Sequence, residues 1–152
     1  MKIASHNLAH WVRAMRGGRM GVLGDFMLDR YVWGTATRLS PEAAVPVVDF
    51  VEQSELLGGA GNVAANLAAL GATVEAFGVR GADGAGQHLA HCLEARGVGG
   101  RGLLVQASRV TTEKTRIIAR HQQVVRVDRE TRAPIAAEME ERLISAIATA
   151  TE

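Results

Sequence analysis

Residues 57–72, LGGAGNVAANLAALGA, constrain this chain more than any other stretch, because a glycine-rich turn runs straight into a helix built from small residues. Gly58, Gly59 and Gly61 can take positive φ and carry no Cβ, so backbone N–H groups can approach a bound molecule closely. A helix predicted to start near Asn62 would aim its unpaired N-terminal N–H groups at the same place. Val63, Leu67 and Leu70 fall at i, i+4 and i+7 as an apolar stripe, while Ala64, Ala65, Ala68 and Ala69 permit close packing on a sheet. Gly71 stands where a helix ends. Two readings stay open for the glycines: a ligand cradle, or a turn that needs small residues only for packing. Gly59, Gly61 and Ala64 also satisfy the dinucleotide fingerprint G-x-G-x-x-A, whose owner would be an oxidoreductase. That fingerprint needs a strand leading directly into its first glycine, and Glu52, Gln53, Ser54 and Glu55 are expected to intervene.

The surrounding segments predict an α/β domain. Arg19–Leu23 reads as a short buried strand ended by Gly24-Asp25, which puts Asp25 and Asp29 just past a strand's carboxyl end. Ligands bind at that edge of open α/β sheets, so both carboxylates are candidate hydroxyl or metal partners, with helix or turn capping as the alternative. Residues 31–37 and 45–51 read as strands of a second kind; the latter carries Pro46, which removes a ladder donor and suits an exposed edge or a small accessory sheet. Residues 73–79 (strand), 87–96 (helix, Leu89 and Leu93 inward) and 103–106 (strand) continue an alternation that argues for a largely parallel sheet.

Residues 114–120 and 124–128 form a predicted hairpin turning at His121-Gln122-Gln123, added to the accessory sheet. Lys114, Arg116, Ile118 and Arg120 share one face, so several cations project together. They could clamp a phosphate, or they could be a solvated face paired with Glu113, Asp128 and Glu130. Residues 136–149 complete the pattern as a helix with Met139, Leu143, Ile144 and Ile147 at helical spacing, and no further buried strand follows. The expectation is therefore the first half of a longer domain, with apolar sheet edges left open.

Composition narrows the function. The 152 residues carry 17 Lys+Arg against 16 Asp+Glu, a balance that gives no polyanion signal, so nucleic acid is not expected as a partner. Cys92 alone cannot form an internal disulfide and suits a reducing, cytoplasmic setting; no membrane partner is expected either. Leu8, Trp11, Val12 and Met15, with Arg13 and Arg16 opposite, read as a short packing helix ended by Gly17 and Gly18; an organelle-targeting segment is the alternative.

The runs 24–31 (GDFMLDRY) and 38–42 (RLSPE) with 45–48 (VPVV), together with the glycine stretch, resemble the ribokinase-like (PfkB) sugar kinases. Residues 114–128 narrow the resemblance to the branch that phosphorylates D-glycero-β-D-manno-heptose 7-phosphate on the way to ADP-heptose and lipopolysaccharide core. The resemblance implies an incomplete, N-terminal ribokinase-like α/β domain over 1–152, with a small β lid (about 31–51 and 114–128) that often joins two subunits as a homodimer. It further implies ATP and Mg²⁺ in the whole enzyme, a sugar phosphate substrate, sugar contacts from Asp29, Gly58, Gly59 and Asn62, and substrate phosphate contacts from Lys114 and Arg116. The family's catalytic Asp belongs to a Gly-Ala-Gly-Asp motif in the second half of the domain. No such motif occurs in this chain; Gly81-Ala82-Asp83-Gly84 has a different order. No catalytic residue is therefore expected here, and the chain alone should not turn over.

Overall fold

The computed structural model describes the backbone of residues 5–151 and the side chains of residues 9–150. In chain order the elements are α1 (Ser5–Ala14), β1 (Arg19–Leu23), β2 (Phe26–Leu39), β3 (Pro46–Gly59), α2 (Ala60–Ala69), β4 (Thr73–Arg80), α3 (Gly84–Glu94), β5 (Val98–Val105), β6 (Thr112–Ala119), β7 (Gln122–Arg129) and α4 (Ala137–Thr151). They build two sheets: a parallel one in the order β1-β4-β5, and a mixed one in the order β3-β2-β6-β7. The mixed sheet is the accessory sheet expected to be the lid. Its β2 pairs antiparallel with β3 and parallel with β6, and β6 turns back antiparallel into β7.

The predicted alternation of strands and crossover helices is present, and so is the accessory sheet with its added hairpin. Pro46 begins β3, which lies at the lid's edge, where a missing N–H breaks no central ladder. The β6–β7 turn is tight: Arg120 and His121 both take positive φ, 51° and 63°. That pair of left-handed residues is what a two-residue hairpin requires.

Several expectations need correction. The lid strands are much longer than predicted, because β3 continues through Glu52–Glu55 to Gly59. Helix α2 therefore starts at Ala60, two residues before Asn62. Its expected apolar stripe holds only at Leu67, which packs on the core: Val63 is 50% exposed and Leu70 37%, while Ala64 and Ala65, expected to allow close packing, are buried with Gly61. The helix docks mainly through glycine and alanine, with Leu67 alongside, which lets its axis come close to the sheets. In α1, Trp11 is 61% exposed, so the expected packing helix leaves part of its apolar face uncovered; Leu8 lies outside the residues whose side chains are described.

The last concerns β1, predicted as a buried strand. It stands at the edge of the parallel sheet, and only Val22 of its five residues is buried. Leu23 is 61% exposed. Between this sheet and α4 lies a cavity of about 1360 Å³, lined in part by Leu23, Phe77, Leu104 and Ile147.

One core joins both sheets. Val22, Val74, Ala76, Val98 and Leu103 of the parallel sheet meet Leu89 and Leu93 of α3 and Ala64 of α2, while Phe26, Leu28 and Leu57 bring in the base of the lid. Each fully buried leucine contributes roughly 1.5–3 kcal/mol, so the lid base is tied to the domain by packing.

Asp83 caps α3, accepting from Gly86 N at 2.9 Å. It also accepts from Thr111 N at 3.0 Å and Thr111 Oγ1 at 2.6 Å. Burial alone would raise its pKa, but these hydrogen bonds, with Arg129 nearby, hold it below the ordinary 3.8. A depressed carboxylate stabilises the fold above its unfolded-state pKa and loses that contribution as pH falls through its folded value. Asp83→Asn should therefore be less stable than the parent at pH 7, and urea melts at stepped pH should show the gap closing below about pH 4.

Candidate functional site

The glycine stretch joins the two parts of the molecule: β3 of the lid ends at Gly59 and α2 begins at Ala60. Gly59 has φ 55° and ψ −130°, and a Cβ there would strike the carbonyl oxygen of Asp25. That same carbonyl accepts from Ala60 N at 2.9 Å. Tight packing thus accounts for Gly59. Gly58 is different, because the space a Cβ would fill is occupied by the carboxylate of Asp29 and by Met27 Cγ.

Asp29 is the centre of a polar cluster on one face of the lid. Side chains directly opposite in register share a face, so Asp29 lies in a row with Leu56, Lys114 and Asp128, and Tyr31 in the next row with Ser54, Arg116 and Arg126. Arg116 Nη1 donates to Asp29 Oδ1 at 2.6 Å, and its guanidinium stands 5.2 Å over the Tyr31 ring. Asp29 is the main reason that the Arg116 pKa is raised. Lys114 Nζ is 3.9 Å from Asp128 and 3.9 Å from Glu130. Arg126 in turn grips Asp128 at 2.8 and 2.9 Å, which holds the Asp128 pKa down.

Of the residues singled out in the sequence, the structure brings Asp29, Gly58, Lys114 and Arg116 together on this face, with Gly59 beside them. Asn62 sits in the exposed first turn of α2, where its Oδ1 accepts from Asn66 Nδ2 at 3.2 Å. Asp25 is exposed and bridges to α2 through its backbone. The cations are ion-paired, as the solvated-face reading anticipated, although Arg120 belongs to the turn and not to the strand. Tyr31 and Arg126 are the members that sequence reasoning left out of the cluster; only the β2–β6–β7 register places them there.

Among the described residues no group of three His, Cys, Asp or Glu side chains could hold a metal ion. The structure does not bring Asp25 and Asp29 into one cluster: the Asp29 carboxylate accepts from Arg116, whereas Asp25 bridges to α2 through its backbone carbonyl. The dinucleotide fingerprint fails for a reason other than the one expected. A strand does run directly into Gly59, but β3 lies antiparallel in the lid, whereas β4, which follows α2, is in the other sheet. The parallel βαβ unit of dinucleotide-binding folds is not formed around these glycines. Asp83, in the Gly-Ala-Asp-Gly run, is the cap of α3.

The profile of the pfkB family carbohydrate kinases matches residues 20–151. Among curated proteins, bifunctional protein HldE of Pelobacter propionicus is 52% identical over 122 residues, which is 80% of this chain and 25% of that protein. Bifunctional protein HldE of Helicobacter pylori is 48% identical over 123 residues, covering 81% and 27%. The chain thus spans about a quarter of the length of the relatives it matches. Among solved structures, a carbohydrate kinase from Agrobacterium tumefaciens superposes with a TM-score of 0.61 at 27% identity, over 74% of this chain and 35% of that one. Arabidopsis thaliana ribokinase complexed with ribose and ATP gives 0.58 at 18% identity, over 76% and 36%.

Proposed function

The chain belongs to the pfkB family of carbohydrate kinases, and from that premise we propose that it forms the sugar-binding part of a cytoplasmic kinase acting on the anomeric hydroxyl of D-glycero-D-manno-heptose 7-phosphate. The observation that carries this reading is the convergence of Asp29, Gly58, Lys114 and Arg116 on one face of the lid, beside the start of α2. A carboxylate accepts from sugar hydroxyls, and Asp29 has Oδ2 to offer while Oδ1 is held by Arg116. The missing Cβ of Gly58 keeps that oxygen unobstructed from below. Lys114 is a candidate for the substrate phosphate because its two carboxylate contacts are long, and a phosphate dianion at hydrogen-bonding distance offers it a stronger partner. Asn62, in the first turn of α2, would reach the sugar from the other side.

Phosphoryl transfer needs positioned phosphate ligands, a metal and an oriented nucleophile. The chain's residues supply the sugar side of that list. ATP and Mg²⁺ would be bound by the part of the enzyme that the relatives have and this chain does not match. The lid's exposed Phe50, Val51 and Val127 support a homodimer joined through this sheet.

Calorimetric titration with D-glycero-D-manno-heptose 7-phosphate and with NADH, together with a coupled assay for ATP-dependent phosphorylation, tests the reading. Expected are binding of the sugar phosphate, no response to NADH, and no turnover by the chain alone. Tight NADH binding without a sugar phosphate response would overturn the assignment; turnover by the chain alone would overturn its inactivity.

A further inference from the structure

The underside of the lid carries a second charged arrangement, separate from the Asp29 face. Four side chains run across all four strands with alternating sign: Glu55 on β3, Arg30 on β2, Glu113 on β6 and Arg129 on β7. Arg30 Nε meets Glu55 Oε1 at 2.6 Å, Arg30 Nη2 meets Glu113 Oε1 at 3.1 Å, and Arg129 Nη1 meets Glu113 Oε2 at 3.0 Å. Helix α3 closes the row at both ends. His88 Nε2 is 2.5 Å from Glu55 Oε2, and Asp83 Oδ2 is 3.5 Å from Arg129 Nη2. Glu113, the middle member, is 8% exposed.

The chain neighbours of this row are the residues of the other face. Arg30 follows Asp29, Glu113 precedes Lys114, and Arg129 follows Asp128. Successive strand residues point to opposite sides, so each underside charge grips the backbone segment that presents a ligand-face group. We propose that this row is a clamp between α3 and the lid, with Arg30 and Glu113 as positioning residues that fix where Asp29 and Lys114 stand. Isolated half-exposed ion pairs contribute little, but a continuous network anchored at two points on one helix restrains the angle of the sheet it crosses. Glu113 is the hub, because removing its charge leaves Arg30 and Arg129 facing an uncharged partner at once.

Native-state hydrogen exchange on the whole chain reads the clamp directly. Glu113→Gln should raise exchange of β2, β6 and β7 amides by about tenfold or more while β4 amides keep their protection. His88→Gln, at the half-exposed end of the row, should loosen β3 more than β7, and Arg129→Gln should do the reverse. The end variants keep the test decisive if Glu113→Gln unfolds the whole chain. Equal exchange in the end variants and the parent, or loosening spread evenly through β4, would overturn the clamp. The positioning role rests on the sugar-face reading and is checked by calorimetry with heptose 7-phosphate: Glu113→Gln should bind at least several-fold more weakly, and unchanged affinity with a loosened lid would overturn that role. A parent chain that ignores heptose 7-phosphate, with exchange changed as described, would sink the sugar-face reading and leave the clamp standing.

Discussion

Asp29→Ala is expected to lower the affinity of this chain for heptose 7-phosphate by about 100-fold or more, the largest functional effect of any single side chain in the cluster. A charged acceptor bonded to hydroxyls contributes about 1.5–3 kcal/mol per bond, and about 1.4 kcal/mol is a tenfold change in affinity. Two hydroxyls on one carboxylate therefore account for the loss. The substitution has a second consequence, because Arg116 loses its 2.6 Å partner and keeps the Tyr31 ring, the Lys114 carbonyl 3.5 Å away and the weaker pull of Asp128. A freed guanidinium would attract the substrate phosphate more strongly, which opposes the loss in part. Asp29→Asn separates the two effects: it keeps the shape over Gly58 and one acceptor oxygen, so its affinity should fall between alanine and the parent. Calorimetry on the three proteins decides the matter, and an alanine variant within threefold of the parent would remove Asp29 from the sugar site.

The relation between Asp29 and Arg116 marks the limit of what the sequence could disclose. The residues are 87 positions apart, and their contact depends on β6 entering the lid parallel to β2 with Asp29 opposite Lys114. The hairpin itself was legible from two β-rich runs around a short polar link, and the alternation of strands and helices from period and glycine stops. What was not legible were strengths set by neighbours. Glu52–Glu55 is polar on both faces, so it reads as a loop, yet its backbone is held in the ladder by β2. Val63 looked like a core residue by spacing, but the close approach of α2 selected glycine and alanine for the buried face. The underside charges were invisible for the same reason: Glu55, Arg30, Glu113 and Arg129 each pass for a solvated residue until the register sets them on one face, in two adjacent rows that Arg30 and Glu113 link diagonally. Asp83 was the reverse case. It stands in a glycine-rich run that invites a functional reading, and its hydrogen bonds to Gly86 and Thr111 show a helix cap.

Gly59→Ala should be the most destabilising of the small changes in the glycine stretch, by about 3 kcal/mol or more. Two costs add. A φ of 55° with ψ of −130° is open to glycine and strained for any residue with a Cβ, which alone is worth about 1–3 kcal/mol. The new methyl group would also meet the Asp25 carbonyl, which is backbone and already fixed by its bond to Ala60 N, as well as Met27 Cε at 2.9 Å. Relief requires the β3–α2 junction to move, and that junction is where the lid meets the core through Leu57 and Phe26. Gly58→Ala provides the contrast. Its Cβ would meet side chains and no backbone, the Asp29 carboxylate and Met27 Cγ, so stability should fall less than at Gly59 while Asp29 leaves its place. Thermal melts should therefore separate the pair, with Gly59→Ala falling by roughly 10 °C and Gly58→Ala by less. Sugar phosphate titration should reverse the order of interest, since Gly58→Ala loses affinity in a chain that remains folded. Equal melting temperatures for Gly59→Ala and the parent would mean that the junction is not held as tightly as its backbone angles require.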